Sequence, residues 1–143
     1  MIKLSKLSDY AVVVLSRLAA GQGELMTTTQ LALDTGVPEP TVSKVIKLLA
    51  KHNIVTSTRG SKGGYVMDRE PHTITVAELI VALEGPIALT TCIDPTSIHV
   101  CSIESLCPMR GGWHKVNSAI QQALESLSLA DLLHPIRSKR KVS

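Results

Sequence analysis

The chain has 143 residues, is 44% hydrophobic and carries a formal net charge of +3. That length holds one small domain with an appended helix, and with no Phe, one Trp and two Tyr its core is expected to be aliphatic. No apolar run approaches the ~18 residues that span a bilayer, and the start Met1-Ile-Lys-Leu-Ser-Lys6 lacks the apolar stretch of a secretion signal, so a cytoplasmic protein with no membrane contact is expected.

In chain order, Ser8–Ala20 reads as a helix, with Ser8 as its cap, Asp9 in its first turn and Gly21 at its end. Thr27-Thr-Thr-Gln30 is a capping-box pattern that opens a short helix through Asp34. Gly36 supplies a tight turn, and Pro38-Glu-Pro-Thr41 starts a third helix. Val42, Val45, Ile46 and Leu49 recur there at helical spacing, with Lys44, Lys47 and Lys51 on another face. Two β-prone runs follow, Ile54–Thr58 and Tyr65–Met67, joined by the glycine-rich Arg59-Gly-Ser-Lys-Gly-Gly64. Gly60, Gly63 and Gly64 are expected to take positive φ and to let backbones approach.

Thr75-Val-Ala-Glu78 is a second capping box, opening a helix to Glu84 that Gly85-Pro86 closes. A long loop, roughly 88–111, then carries every cysteine of the chain. The last long helix is expected over Trp113–Leu127, with Trp113, Val116, Ile120, Leu124 and Leu127 on one apolar face, and a short terminal helix over Ser128–Leu133. The expected organisation is a DNA-binding unit over 1–85, a cysteine loop over 86–111, a dimerisation helix with the terminal helix over 112–133, and a mobile basic tail over 134–143.

The charge is segregated. The span Pro40–Gly64 holds Lys44, Lys47, Lys51, Arg59 and Lys62 with no acid. A localised positive face attracts a polyanion whatever the total charge. Short helix, glycine turn, second helix and basic hairpin is the order of a winged helix-turn-helix, a mainly α fold with one small hairpin. In double-stranded DNA the third helix would enter the major groove by its N-terminal end. Glu39, Thr41, Ser43, Lys44 and Lys47 are its candidate readers, with Thr28 at the start of the preceding helix. Arg59 and Lys62 would lie along a minor groove, whose negative potential favours a guanidinium. The bland alternative is a small domain with a solvated lysine face.

Cys92, Cys101 and Cys107 are spaced Cys-x8-Cys-x5-Cys. Three thiolates on one segment can hold an iron–sulfur cluster, zinc or copper(I), with one position left for another group. Zinc sites usually use closer Cys pairs, which are absent here, so a cluster is favoured over zinc, with free thiols as the third option.

Several motifs together resemble a family. Leu7-Ser-Asp-Tyr-Ala11, Val37-Pro-Glu-Pro-Thr-Val-Ser-Lys44, Arg59-Gly-Ser-Lys-Gly-Gly-Tyr65, Thr75-Val-Ala-Glu-Leu-Ile80 and Cys107-Pro-Met-Arg110 are similar to the Rrf-two family of bacterial transcription regulators, which includes the IscR and NsrR types. The similarity runs to about Leu133 and is greatest to regulators of the SUF iron–sulfur assembly operon. It implies a homodimer held by the last long helix, a palindromic operator and an iron–sulfur cluster near the dimer interface, 4Fe–4S favoured with 2Fe–2S as the alternative.

The resemblance also frames the fourth ligand. Family members space their cysteines x5 and x5, so the first gap here is three residues longer. IscR-type proteins place a histidine where this chain has Arg110, which cannot ligate. NsrR-type proteins use an aspartate near the N-terminus of the partner subunit, a position that Asp9 matches. Asp9 is therefore ranked first, then His99, then His114. The plain alternative for Asp9 is an acid favoured by its own helix dipole. A nitric oxide or redox sensor of the same fold is the runner-up function, and a cluster carrier without operator binding is the alternative of a different class. An enzyme is not expected, because no cysteine, serine or histidine stands in a nucleophile–base pattern.

Overall fold

The computed structural model describes residues 5–61, 63–88 and 112–133. Lys62, the cysteine segment and the basic tail lie outside the described residues. Helix α1 spans Lys6–Ala20 and buries Ala11, Val14, Leu15 and Leu18, one face at helical spacing. It begins at Lys6, two residues before the expected start, and the side chain of its cap residue Ser5 makes no cap bond. Ser8 is thus not the cap. It is buried in the first turn, and its hydroxyl donates to Glu84 Oε2 at 3.0 Å. The Ser5 N–H donates to Glu84 Oε1 at 3.1 Å. A carboxylate from the end of another helix takes the capping role, because it satisfies an otherwise orphaned N–H and meets the positive end of the dipole.

Helices α2 (Thr28–Thr35) and α3 (Glu39–Lys51) follow. Thr27 Oγ1 accepts the Gln30 N–H at 3.1 Å, the forward half of the expected capping box. Gly36, at φ 79°, makes the left-handed turn between the helices. Val42, Val45, Ile46 and Leu49 are buried, as their spacing predicts. Asn53 at φ 59° ends α3, and the Ile54 N–H returns to Leu49 O at 2.9 Å.

That ending shortens the hairpin. Strand β1 is Thr56–Thr58 and β2 is Gly64–Val66, antiparallel with Ser57 opposite Tyr65. Ile54 and Val55 were expected in the strand. They are instead buried core residues of the helix exit, where the Ile54 N–H is already used. Met26 pairs with Tyr65 through two backbone hydrogen bonds, at 2.8 and 2.7 Å, and so joins the hairpin to the entry of α2.

After a 3-10 turn at Pro71–Thr73 come α4 (Val76–Glu84), α5 (Gly112–Glu125) and α6 (Leu129–Leu133). Thr75 caps α4 by accepting the Glu78 N–H at 3.0 Å. The Glu78 carboxylate does not return to Thr75. It pairs with Arg69 at 2.6 Å, and this bond raises the Arg69 guanidinium above its ordinary value. Ser128 and Asp131 form a reciprocal cap on α6, with Ser128 N–H to Asp131 Oδ2 at 2.8 Å. A five-residue helix cannot stand alone. Leu129 is fully buried, which contributes about 1.5–3 kcal/mol, and its N–H bonds Ile74 O at 2.8 Å.

The core is aliphatic: the largest fully buried side chains are Leu, Ile, Val and Met. Helix α5 buries none of its residues. Ile120 and Leu124 are half-buried, while Trp113, Val116 and Leu127 stay exposed. Among the described residues no helix is long and apolar enough to cross a membrane.

Candidate nucleic-acid interface

Helices α2 and α3 meet across the Gly36 turn, and their N-terminal ends are linked by a hydrogen bond from Thr29 Oγ1 to Glu39 Oε1 at 2.8 Å. Along α3 from this end, Glu39, Lys44 and, two turns on, Lys47 are exposed, and Thr41 and Ser43 are half-buried, as is Thr28 on α2. The structure therefore brings these six side chains to two adjoining helix ends or faces. Among the described residues Lys44, Lys47, Lys51 and Arg59 make no ion pair. Arg17 is paired with Asp34 and Arg69 with Glu78. Four of the cations without acidic partners among the described residues lie on α3 and the wing, where a phosphate backbone would neutralise them.

Arg59 is exposed and opens the loop between β1 and β2. Of the three wing glycines only Gly60, at φ 116°, uses the left-handed region. Gly63 and Gly64 serve close approach instead. A Cβ on Gly64 would lie 2.7 Å from Met26 O, and one on Gly63 would collide with Thr58 O. The expectation of positive φ at all three is corrected accordingly. Lys62, the other wing cation, lies outside the described residues.

Of the candidate metal ligands, Cys92, Cys101, Cys107 and His99 lie outside the described residues. Asp9 is exposed in the first turn of α1 and takes no hydrogen bond or ion pair among the described residues. His114 is exposed on α5. Among the described residues no group of three or more His, Cys, Asp or Glu is gathered to hold a metal. Asp9 and Ser8 also rim an apolar groove of about 420 Å³ between α1, α4 and α6, with Val13, Ile80, Leu83 and Leu132 in its walls.

Two residues of this site escaped sequence reasoning. Glu84 read as a helix end, yet it holds the start of the helix that bears Asp9. Thr29 read as part of a capping pattern, yet it fixes Glu39. Neither partner is near in sequence, and only Glu84's place immediately before Gly85-Pro86 marked it at all.

A helix pair with a tight turn, followed by a short hairpin bearing a free arginine, defines a winged helix-turn-helix DNA-binding protein. The chain belongs to the Rrf2 (Rrf-two) family, described as an iron-dependent transcriptional regulator, which its residues 4–135 match. It is a transcription regulator and not an enzyme.

It is 30% identical over 132 residues to the regulator CymR of Bacillus subtilis, covering 92% of this chain and 89% of that protein. It is 28% identical over 133 residues to the regulator NsrR of Bacillus licheniformis, covering 92% of each. Solved structures share the fold. CymR, the global cysteine regulator of B. subtilis, superposes with a TM-score of 0.66 at 29% identity, over 93% of this chain and 97% of that one. IscR of T. potens superposes with a TM-score of 0.64 at 29% identity, over 99% of this chain and 93% of that one.

Proposed function

We propose that this chain senses an iron–sulfur cluster and regulates iron–sulfur assembly (SUF) genes in the cytoplasm. The observation that carries the reading is the presence of Cys92, Cys101 and Cys107 in the same chain as a winged DNA-reading head, within a family described as iron-dependent. The donor set fits such a group: three thiolates leave one position, and Asp9 offers an exposed carboxylate without a partner among the described residues. A cluster bound there would supply a redox- and ligand-sensitive centre held by soft donors and one weak oxygen. Thr28, Glu39, Thr41, Ser43, Lys44, Lys47, Arg59 and Lys62 carry the DNA contacts. Two copies joined along Trp113, Val116, Ile120, Leu124 and Leu127 read a palindromic operator, since a two-fold protein matches a two-fold site.

Asp9 supplies the coupling. It sits on α1, whose first turn Glu84 holds against the end of α4. Ligation by Asp9 of one copy to the cysteines of the other would tie a reading head to its neighbour's sensing segment.

Anaerobic purification with iron and sulfide assays, followed by operator binding of holo and apo forms, tests this reading. A brown protein is expected whose DNA affinity differs between the two forms. Cys101→Ser should lose most of the iron. Asp9→Ala should keep part of it, change the absorption spectrum and uncouple affinity from cluster state. A colourless, iron-free protein overturns the proposal. An Asp9→Ala spectrum identical to wild type with a changed His99→Ala spectrum moves the fourth ligand to His99. The likeness to CymR favours one second reading, control by cysteine supply through free thiols, which the colourless outcome would support.

A further inference from the structure

We propose that Glu39 is a specificity-determining residue that accepts a hydrogen bond from the exocyclic amino group of a cytosine in the major groove, with Thr29 as its positioning residue. This rests on the assignment of α3 as the reading helix and adds the base that it reads.

Glu39 is the first residue of α3 and is exposed. It stands at the end of the helix that a helix-turn-helix directs toward base edges. The 25 residues that follow it, Pro40–Gly64, carry five bases and no acid. A carboxylate on such a face repels the phosphates that its neighbours attract, and at contact distance it lies within the ~8–10 Å screening length of physiological salt. General affinity for DNA therefore opposes an acid here, and a specific acceptor role offsets that repulsion.

The chemistry of the edge selects the base. An ionised carboxylate only accepts hydrogen bonds. In the major groove the donors are the N4 amino group of cytosine and the N6 amino group of adenine. Adenine sets its N7 acceptor beside the amino group, where it repels a carboxylate. Cytosine offers the amino group without an acceptor of its own beside it, so cytosine is the better fit.

The geometry supplies the preorganisation that such a contact needs. Thr29 Oγ1 donates to Glu39 Oε1 at 2.8 Å, across the two helices of the motif. Oε2 takes no hydrogen bond among the described residues. One oxygen is thereby held and the other kept for a donor, so less side-chain freedom is lost on binding. The competing account is a brace: the Thr29–Glu39 bond only steadies α2 against α3.

Selection from a random-core duplex DNA pool separates the two. Anaerobically purified full-length wild type, Glu39→Ala, Glu39→Gln, Thr29→Val and Thr29→Ser are compared, with circular dichroism as the check on folding. Wild type should enrich a cytosine at one position of each half-site. Glu39→Ala and Glu39→Gln should lose roughly tenfold or more discrimination at that position alone. Both should bind unrelated duplex more tightly at low salt, because a repulsive charge has gone. Thr29→Val should blur the same position and Thr29→Ser should restore it. A motif that Glu39→Ala retains unchanged, with only a lower melting temperature, overturns the proposal in favour of the brace. An adenine at the affected position overturns the choice of base. A wild-type protein that enriches no motif overturns the DNA-reading assignment beneath it.

Discussion

Arg59 opens the wing loop beside Gly60, with its charge unpaired among the described residues. A guanidinium so placed can enter a narrow minor groove, where the potential is most negative. Arg59→Ala should cost on the order of 1–3 kcal/mol of operator affinity, measured by anisotropy at matched salt. Unchanged affinity would remove Arg59 from the interface. Glu84 acts at the other end of the head. It takes both the Ser5 N–H and the Ser8 hydroxyl, and Ser8 is only 6% exposed. Glu84→Ala leaves that buried hydroxyl without its acceptor and the α1 terminus without its anion. Chemical denaturation should show a loss of about 1–3 kcal/mol. Glu84→Gln, which keeps an acceptor, should recover part of it.

At the scale of elements, α5 is the outlier, a fourteen-residue helix that buries no side chain. Its apolar stripe packs back only in the middle, at Ile120 and Leu124, and leaves Trp113 and Val116 uncovered; the helix ends at Glu125 rather than at the expected Leu127, which is exposed just beyond it. In the proposed homodimer this stripe is the joint, since a large exposed apolar patch favours a covering partner. Ile120→Glu sets a charge in the stripe and should weaken self-association by on the order of 3 kcal/mol, read by sedimentation. A folded variant that remains fully dimeric would reject the stripe as the joint.

The helices were legible because their apolar spacing and capping residues are local signals, as at Val42, Val45 and Thr75. The misread pieces were settled by distant partners. Ser8 has the chemistry of a cap, but a carboxylate 76 residues away fixed the helix start. Ile54 and Val55 have strand propensity, but the core needed them at the exit of α3. The basic face of the site was visible as a run of charges. The Thr29–Glu39 bond was not, because it depends on the crossing of two helices rather than on any pattern along the chain.

Across the whole molecule, one contact fixes how the DNA-reading parts sit together. Met26 and Tyr65 exchange two backbone hydrogen bonds, and Gly64 lies so close that no side chain fits between. The wing is thus laced to the helix pair and shares its core. In the proposed complex each head would therefore present α3 and Arg59 to the DNA as one unit. Every base pair added between two half-sites moves them apart by about 3.4 Å and turns them by about 34°. The two Met26–Tyr65 hydrogen bonds oppose a bend between wing and helix pair that would absorb that step. In the proposed pair, the tolerance for spacing then falls to the place where the two copies join. The α5 junction is then the ruler of the operator, and a signal that shifts this junction need not touch a reading residue to change which sites the protein can span.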